Sequence, residues 1–293
     1  GIAIMTSGGD AAGMNPAIRA AVDHARQLGM NPYVVYDGLE GLIDGKIKEA
    51  TRELTSDMIY RGGTLLRSSR SKRFFDYEFR KQAYEHLKDR NIDKLVIMGG
   101  DGSFRALNDF FNDFEVPFAG IPATIDNDIA GTDYCLGVDT AQNVILDCID
   151  SVRDTARSHH RAFVIETMGR DCGYLAMTTA LCSAADICID PEIPYDLESI
   201  YKRLQPVINE EGSCIIAVVA EGTRVAQYLT RWLTERAGMD TRLTVLGHVQ
   251  RGGSPTARDR LMGTRFATRA VEALNNGDIN QIMVYHDGQY GYA

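Results

Sequence analysis

Short apolar runs rich in β-branched residues alternate with longer amphipathic segments along the whole chain, and this rhythm narrows the fold more than any other feature. The runs are Ile2–Met5, Tyr33–Tyr36, Lys94–Met98, Phe118–Ile121, Ala162–Ile165, Ile187–Ile189, Cys214–Val219, Thr244–Leu246 and Ile282–Tyr285. Each has the length of a short strand, and several end on glycine or acidic clusters. Between them, Phe79, Ala83 and Leu87 recur at four-residue spacing. Val138, Ala141, Ile145, Cys148 and Val152 follow a 3,4,3,4 rhythm that puts them on one helix face. Strands alternating with helices predict an α/β protein with largely parallel sheets, whose functional loops lie at the carboxyl ends of the strands. A long helix begins near Gly137, and a domain boundary is expected there.

At 293 residues the chain can bury a large core, enough for one or two domains. Its net charge of −9 argues against non-specific nucleic-acid binding. No apolar run approaches the ~18 residues of a membrane span, and no segment reads as a signal peptide. The six cysteines form no CxxC pair, so reduced thiols in a cytoplasmic protein are expected rather than disulfides or zinc.

The chemistry concentrates in loops after the strands. Thr6-Ser7-Gly8-Gly9-Asp10-Ala11-Ala12-Gly13 follows the first strand. Glycines there let backbone N–H groups approach a phosphate at a helix N-terminus, although a tight turn needs the same residues. Gly99-Gly100-Asp101-Gly102-Ser103 ends another strand. Its Asp101 suits Mg²⁺, which takes few carboxylates and keeps substrate phosphates as ligands; Ser103 reads as a helix cap or a phosphate contact. Thr124-Ile125-Asp126-Asn127-Asp128 packs a hydroxyl and two carboxylates into five residues. That is either a turn after Pro122 or a place to deprotonate an attacking alcohol. Arg161, Arg170, Arg242 and Arg251 stand beside glycines near strand ends. They are solvated surface groups or forks for an anionic substrate. The adjacent His159-His160 could suggest a metal, but adjacent residues rarely share one helix or strand face, so none is expected there. Together the loops point to phosphoryl transfer from a nucleotide to a hydroxyl.

The ordered set Thr6–Asn15, Arg61-Gly62-Gly63-Thr64, Gly99–Ser103, Pro122–Asp128, Met168–Gly173 and Val245–Pro255 resembles the bacterial-type ATP-dependent 6-phosphofructokinase family over almost the whole chain. The resemblance implies that family's fold, two Rossmann-like three-layer αβα domains with mainly parallel sheets. Residues 1–137, joined by part of 256–293, would form the larger, ATP-binding domain, and residues 138–255 the substrate domain. The implied reaction moves the ATP γ-phosphoryl group to O1 of fructose 6-phosphate, giving fructose 1,6-bisphosphate and ADP in glycolysis. Asp126 matches the proton acceptor, flanked by Thr124 and Asp128, and Arg170 the stabiliser of the transferring group. Gly9, Arg70, Ser71, Gly100, Asp101, Gly102 and Ser103 match ATP-binding positions, with Asp101 toward Mg²⁺. Thr124, Ile125, Asp126, Met168, Gly169, Arg170 and Glu221 match sugar contacts. Arg161, Arg242, His248, Val249, Gln250 and Arg251 match the sugar-phosphate end. Arg161 and Arg242 would reach a neighbouring subunit's site, which implies a homotetramer.

Donor and effector choice follow from the departures. Pyrophosphate-using relatives carry bulkier or charged residues where this chain has Gly102 and Ala123, so ATP is expected; a pyrophosphate-dependent enzyme and a non-catalytic sugar-phosphate-sensing subunit are the alternatives. Arg19, Arg52, Arg153 and Asp186 match a pocket for ADP or phosphoenolpyruvate. Asp23 stands there for an arginine, Glu53 for a tyrosine, and Gly212 and Ser213 for lysines. Losing cations weakens an anionic effector. The basic stretch Arg67–Arg73 either reinforces the phosphate contacts around Arg70 or is a surface loop.

Overall fold

The computed structural model describes residues 1–210 and 212–293. The strands in chain order are β1 (Ile2–Thr6), β2 (Pro32–Val35), β3 (Ile47–Glu49), β4 (Lys94–Gly99), β5 (Phe118–Pro122), β6 (Ala162–Thr167), β7 (Ile187–Ile189), β8 (Ile215–Ala220), β9 (Thr241–Val245), β10 (Gln281–His286) and β11 (Gln289–Tyr292). The helices are α1 (Met14–Gln27), α2 (Gly38–Ile43), α3 (Arg52–Ser56), α4 (Tyr77–Lys88), α5 (Asp101–Phe114), α6 (Val138–His159), α7 (Tyr174–Cys182), α8 (Leu197–Ile208), α9 (Ala226–Ala237) and α10 (Ala257–Asn276). The chain divides into two compact units: residues 1–124, 129–140 and 251–293 form unit 1, and residues 125–128 and 141–250 form unit 2.

Unit 1 carries a seven-stranded sheet in the order β11-β10-β5-β4-β1-β2-β3. It is parallel from β10 to β2, with an antiparallel strand at each edge. Alternate residues of the central strands face opposite sides. Ala3, Met5, Val35, Leu95 and Ile97 pack with Leu42, Phe74, Leu87, Leu107 and Phe110 from the side of α2, α4 and α5. Helices α1 and α10 pack on each other, on β1 and on β5 and β10. Burial of both faces explains why these strands read as unbroken apolar runs. From β1 the chain crosses to β2 on one side and later to β4 on the other. The reversal opens a crevice at the carboxyl ends of β1 and β4, where open α/β sheets take ligands.

The start of α6 is tied to α10. Asp259, fully buried, accepts hydrogen bonds from the N–H groups of Gly137 (2.9 Å) and Thr140 (2.8 Å) and from the Thr140 hydroxyl (2.5 Å). A carboxylate at a helix N-terminus satisfies donors the helix itself leaves open. Burial nevertheless pushes its carboxyl above the usual range.

Unit 2 holds a four-stranded parallel sheet in the order β7-β8-β6-β9. One face buries Val164, Ala217 and Val219 against Leu204, Leu229 and Leu233 of α8 and α9. Helix α7 packs on β6, β7 and β8, burying Leu175 and Ala176. All six cysteines are free thiols. No helix of the described residues is long and apolar enough to cross a membrane.

The α/β class and the mostly parallel sheets match the sequence reading, with three local differences. Strand β9 covers Thr241–Val245, not Thr244–Leu246, so Arg242 lies within a strand, opposite Phe163. As an edge strand it exposes Arg242 and Val245, which dilutes its apolar signal. Strands β3 and β11 were not expected. Both are short, polar edge strands pairing antiparallel to a neighbour.

Candidate active site

In unit 1 the two glycine loops meet at the β1/β4 crevice. Ser7 N–H donates to the Met98 carbonyl (2.9 Å), and the Ser103 and Ser7 hydroxyls bond each other in the interior (2.9 Å). Ser103 therefore ties the loops together, while Gly100 caps α5. A Cβ at Gly99 would fall 2.7 Å from the Ser7 carbonyl oxygen, so only glycine lets the loops approach this closely. Nothing lies within 4 Å of a Cβ built at Gly100 or Gly102, which leaves open space beside the N-terminus of α5. Asp101 stands exposed at that terminus, paired with Arg105 (2.8 Å). One exposed carboxylate beside unobstructed backbone suits Mg²⁺ carried on a polyphosphate.

A third loop lies on the first. Thr6 Oγ1 donates to the Arg67 carbonyl (2.9 Å), Ser68 Oγ to the Gly8 carbonyl (2.6 Å), and Gly8 N–H to the Ser69 carbonyl (3.3 Å). Asn15 fixes the loop's earlier part by bonding Arg61 O, Gly62 O and Leu65 N. Arg70 is exposed, and the Ser71 hydroxyl is engaged by Glu40 (2.5 Å). Arg251, expected at the sugar-phosphate end, lies over Gly9: a Cβ there would be 2.7 Å from its Nη1, and Asp10 Oδ1 is 3.9 Å away. Thr124 ends the first stretch of unit 1.

In unit 2, Ile125–Asp128 gathers with the loop after β6. Asp126 is 1% exposed, and its Oδ2 lies 3.1 Å from the Arg170 guanidinium, half of which faces solvent. Arg170 adopts φ +53°, a left-handed conformation that its neighbours hold. Its N–H donates to Glu221 Oε1 (2.9 Å). Gly169 precedes it at φ +132°, with Cys172 N–H closing the turn on the Gly169 carbonyl (3.0 Å). Buried Gln250 accepts from Met168 N–H (3.1 Å) and donates to the Gly247 carbonyl (2.9 Å), so it braces the loop. Burial, and then the charge of Glu221, pushes the Glu166 carboxyl up. Burial also raises the Cys172 thiol. Asp128, His248 and Val249 are exposed.

A second group in unit 2 surrounds Asp240. Its Oδ2 pairs with Arg161 Nε (2.7 Å) and Arg242 Nη2 (3.0 Å). Two guanidinium groups on one carboxylate leave a net positive cluster. Sequence reasoning missed Asp240, Glu192, which accepts from Gly173 N–H (2.8 Å), and the Ser7–Ser103 bridge. The position of Asp240, two residues before Arg242 and so on the same side of an extended chain, was the available signal.

The expected effector residues divide between the units. Arg19 pairs with Asp23 (3.6 Å) and donates to the Ser56 carbonyl, and Arg52 is exposed at the start of α3. Arg153 donates to the Ser183 carbonyl, and the Asp186 carboxylate accepts from Ile216 N–H (2.8 Å) beside the sheet.

Comparison with known proteins gives the same direction. A family model described as Phosphofructokinase matches residues 1–274. A protein of Wolinella succinogenes named ATP-dependent 6-phosphofructokinase is 50% identical over 289 residues, covering 98% of this chain and 90% of that protein. One of the same name from Sulfurimonas denitrificans is 51% identical over 284 residues, covering 97% and 89%. The solved structure of phosphofructokinase from Saccharomyces cerevisiae superposes with a TM-score of 0.93 at 32% identity, covering all of this chain and 44% of that one. The chain belongs to the phosphofructokinase family.

Proposed function

We propose that the chain transfers the γ-phosphoryl group of ATP to O1 of fructose 6-phosphate, releasing fructose 1,6-bisphosphate and ADP. Unit 1 serves as the ATP-binding domain and unit 2 as the sugar-binding domain. The observation that carries the reading is the buried Asp126 carboxylate beside the Arg170 guanidinium, in a family whose relatives here are named ATP-dependent 6-phosphofructokinase.

The roles follow from charge and proton flow. Asp126 takes the proton of the attacking hydroxyl as the O–P bond forms, with Thr124 and Asp128 flanking it. Arg170 meets the negative charge spread over the transferring group, the electrostatic and positioning work that dominates phosphoryl transfer. Gly9, Gly100, Gly102, Ser103, Arg70 and Ser71 seat the nucleotide phosphates. Asp101 would hold Mg²⁺, which supplies charge neutralisation on those phosphates. Ile125, Met168, Gly169 and Glu221 shape the sugar site, with Gln250 bracing Met168. Arg161 and Arg242 take the 6-phosphate, supported by their positive cluster on Asp240, and within a homotetramer they serve a neighbouring subunit. His248, Val249 and Arg251 complete that end. The open space at Gly102 and the small Ala123 favour ATP over pyrophosphate. A cytoplasmic, glycolytic setting goes with this activity. Purified protein supplied with fructose 6-phosphate, Mg²⁺ and either ATP or pyrophosphate tests the proposal. Turnover with ATP alone is expected; turnover with pyrophosphate alone overturns the donor assignment.

A further inference from the structure

The basic stretch Arg67–Arg73 has a division of labour that sequence could not show. Arg67 pairs with Asp37 (2.8 Å), and Arg73 pairs with Glu40 and with Asp44 (2.9 Å). Among the described residues no carboxylate lies within ion-pair distance of Arg70 or Lys72. Arg70 is thus the exposed arginine of the stretch left available to an anion.

Arg70 is bracketed by two anchors. Ahead of it, Ser68 and Ser69 bond the backbone of Gly8. Behind it, one side chain gathers the loop. Glu40 of α2 accepts Ser71 Oγ on one oxygen (2.5 Å) and Arg73 on the other, from Nε (2.7 Å) and Nη2. Ser71 Oγ in turn accepts Phe74 N–H (3.1 Å), and the Phe74 ring is buried in the core of unit 1. The Arg73 guanidinium also stands over the Phe79 ring, 5.3 Å from its centre. Glu40 is only a quarter exposed. Its carboxyl is held below the usual range by Arg73 first and Ser71 second, so it is ionised at neutral pH.

We propose that Glu40 is a positioning residue for the phosphate donor: by holding Ser71 and Arg73 from the helix behind, it fixes the loop that presents Arg70 to the nucleotide, without touching the nucleotide itself. The inference rests on the reading of unit 1 as the ATP domain. Without Glu40 the loop must be ordered at the expense of nucleotide binding. The effect therefore falls on ATP affinity and not on the chemical step.

The test compares Glu40→Leu, Arg73→Met and the double variant in the full enzyme, reading kcat and the KM values for MgATP and fructose 6-phosphate. KM for MgATP is expected to rise about tenfold in each single variant, the scale of re-ordering one or two loop side chains. The double variant should fall well short of the product of the two single effects, because both remove the Glu40–Arg73 pair. Glu40→Gln keeps an acceptor for Ser71 and should recover part of the affinity, while kcat and KM for fructose 6-phosphate stay within about twofold of the parent. An unchanged KM for MgATP in Glu40→Leu overturns the inference. Parallel losses in kcat and both KM values also overturn it, since they mark a general structural role. A parent enzyme that fails to turn over ATP overturns the functional reading itself, and this inference with it.

Discussion

Gly222 is where the smallest substitution should reach the chemistry from outside the substrate contacts. A Cβ at this position would lie 2.1 Å from the Arg170 carbonyl oxygen and 3.1 Å from its carbonyl carbon. Both atoms are backbone, so no side chain can swing aside. The Arg170 backbone must retreat by roughly 1 Å to accept even alanine. Arg170 is held by its N–H bond to Glu221 and carries the guanidinium 3.1 Å from Asp126, so the displacement passes to the proposed reacting centre. Misplacement on that scale costs about 100-fold in rate, while overpacking costs about 1–3 kcal/mol of stability. Gly222→Ala should therefore lower kcat by about 10- to 100-fold in protein that still melts cooperatively. Steady-state kinetics at saturating MgATP with a thermal melt alongside separates the two effects. A folded variant with kcat within about twofold of the parent would refute the claim that this contact positions Arg170.

Three further outcomes are expected. Arg242→Ser should raise KM for fructose 6-phosphate about tenfold or more, as loss of a charge-assisted phosphate contact does, with kcat far less affected; an unchanged KM removes Arg242 from the phosphate site. Low concentrations of ADP or phosphoenolpyruvate should barely move the fructose 6-phosphate saturation curve, because Asp23 occupies Arg19 and the neighbouring cations are missing; a large shift contradicts this. The tie of β10 to the loop before α6 should depend on pH. His286 is raised from 6.5 by its bond to Asp133 and by the charges of Asp133 and Asp287, while Asp133 is lowered from 3.8 by the N–H of Asp287 first and His286 second. The histidine's contribution is complete below its unfolded value and lost as pH rises through its raised folded value. The aspartate's is present above its unfolded value and lost as pH falls through its lowered one. The tie is therefore fullest between about pH 4 and 6.5. Exchange protection of the Asp287 amide should fall on going from pH 6 to above 8 in the parent and stay flat in His286→Gln.

Much of the fold was legible because the central strands are buried on both faces. Runs such as Ile2–Met5 and Cys214–Val219 announce themselves without a competing helical period. The edges were not legible: β3, β9 and β11 are half-polar, and pairing rather than composition makes them strands. The residues proposed for the site stand out unevenly in the sequence. Gly99–Ser103 and Thr124–Asp128 stand out because chemistry-bearing residues are contiguous. Asp240 and Glu40 do not, since each acts through a partner far away in sequence or on another element. The sequence left open whether Arg67 and Arg73 reinforce the contacts around Arg70 or lie on a surface loop; Asp37, Glu40 and Asp44 hold both of them.

The most direct test of the central claim is ³¹P NMR of the product formed from fructose 6-phosphate and MgATP, by the parent enzyme and by Asp126→Ser side by side. The parent should produce a new phosphomonoester at C1 together with ADP. The variant should do so about 10²- to 10⁴-fold more slowly with little change in sugar affinity, the range a general base contributes. No phosphomonoester at C1 from the parent, or equal rates from the two proteins, would contradict the assignment of Asp126 and the reaction built on it.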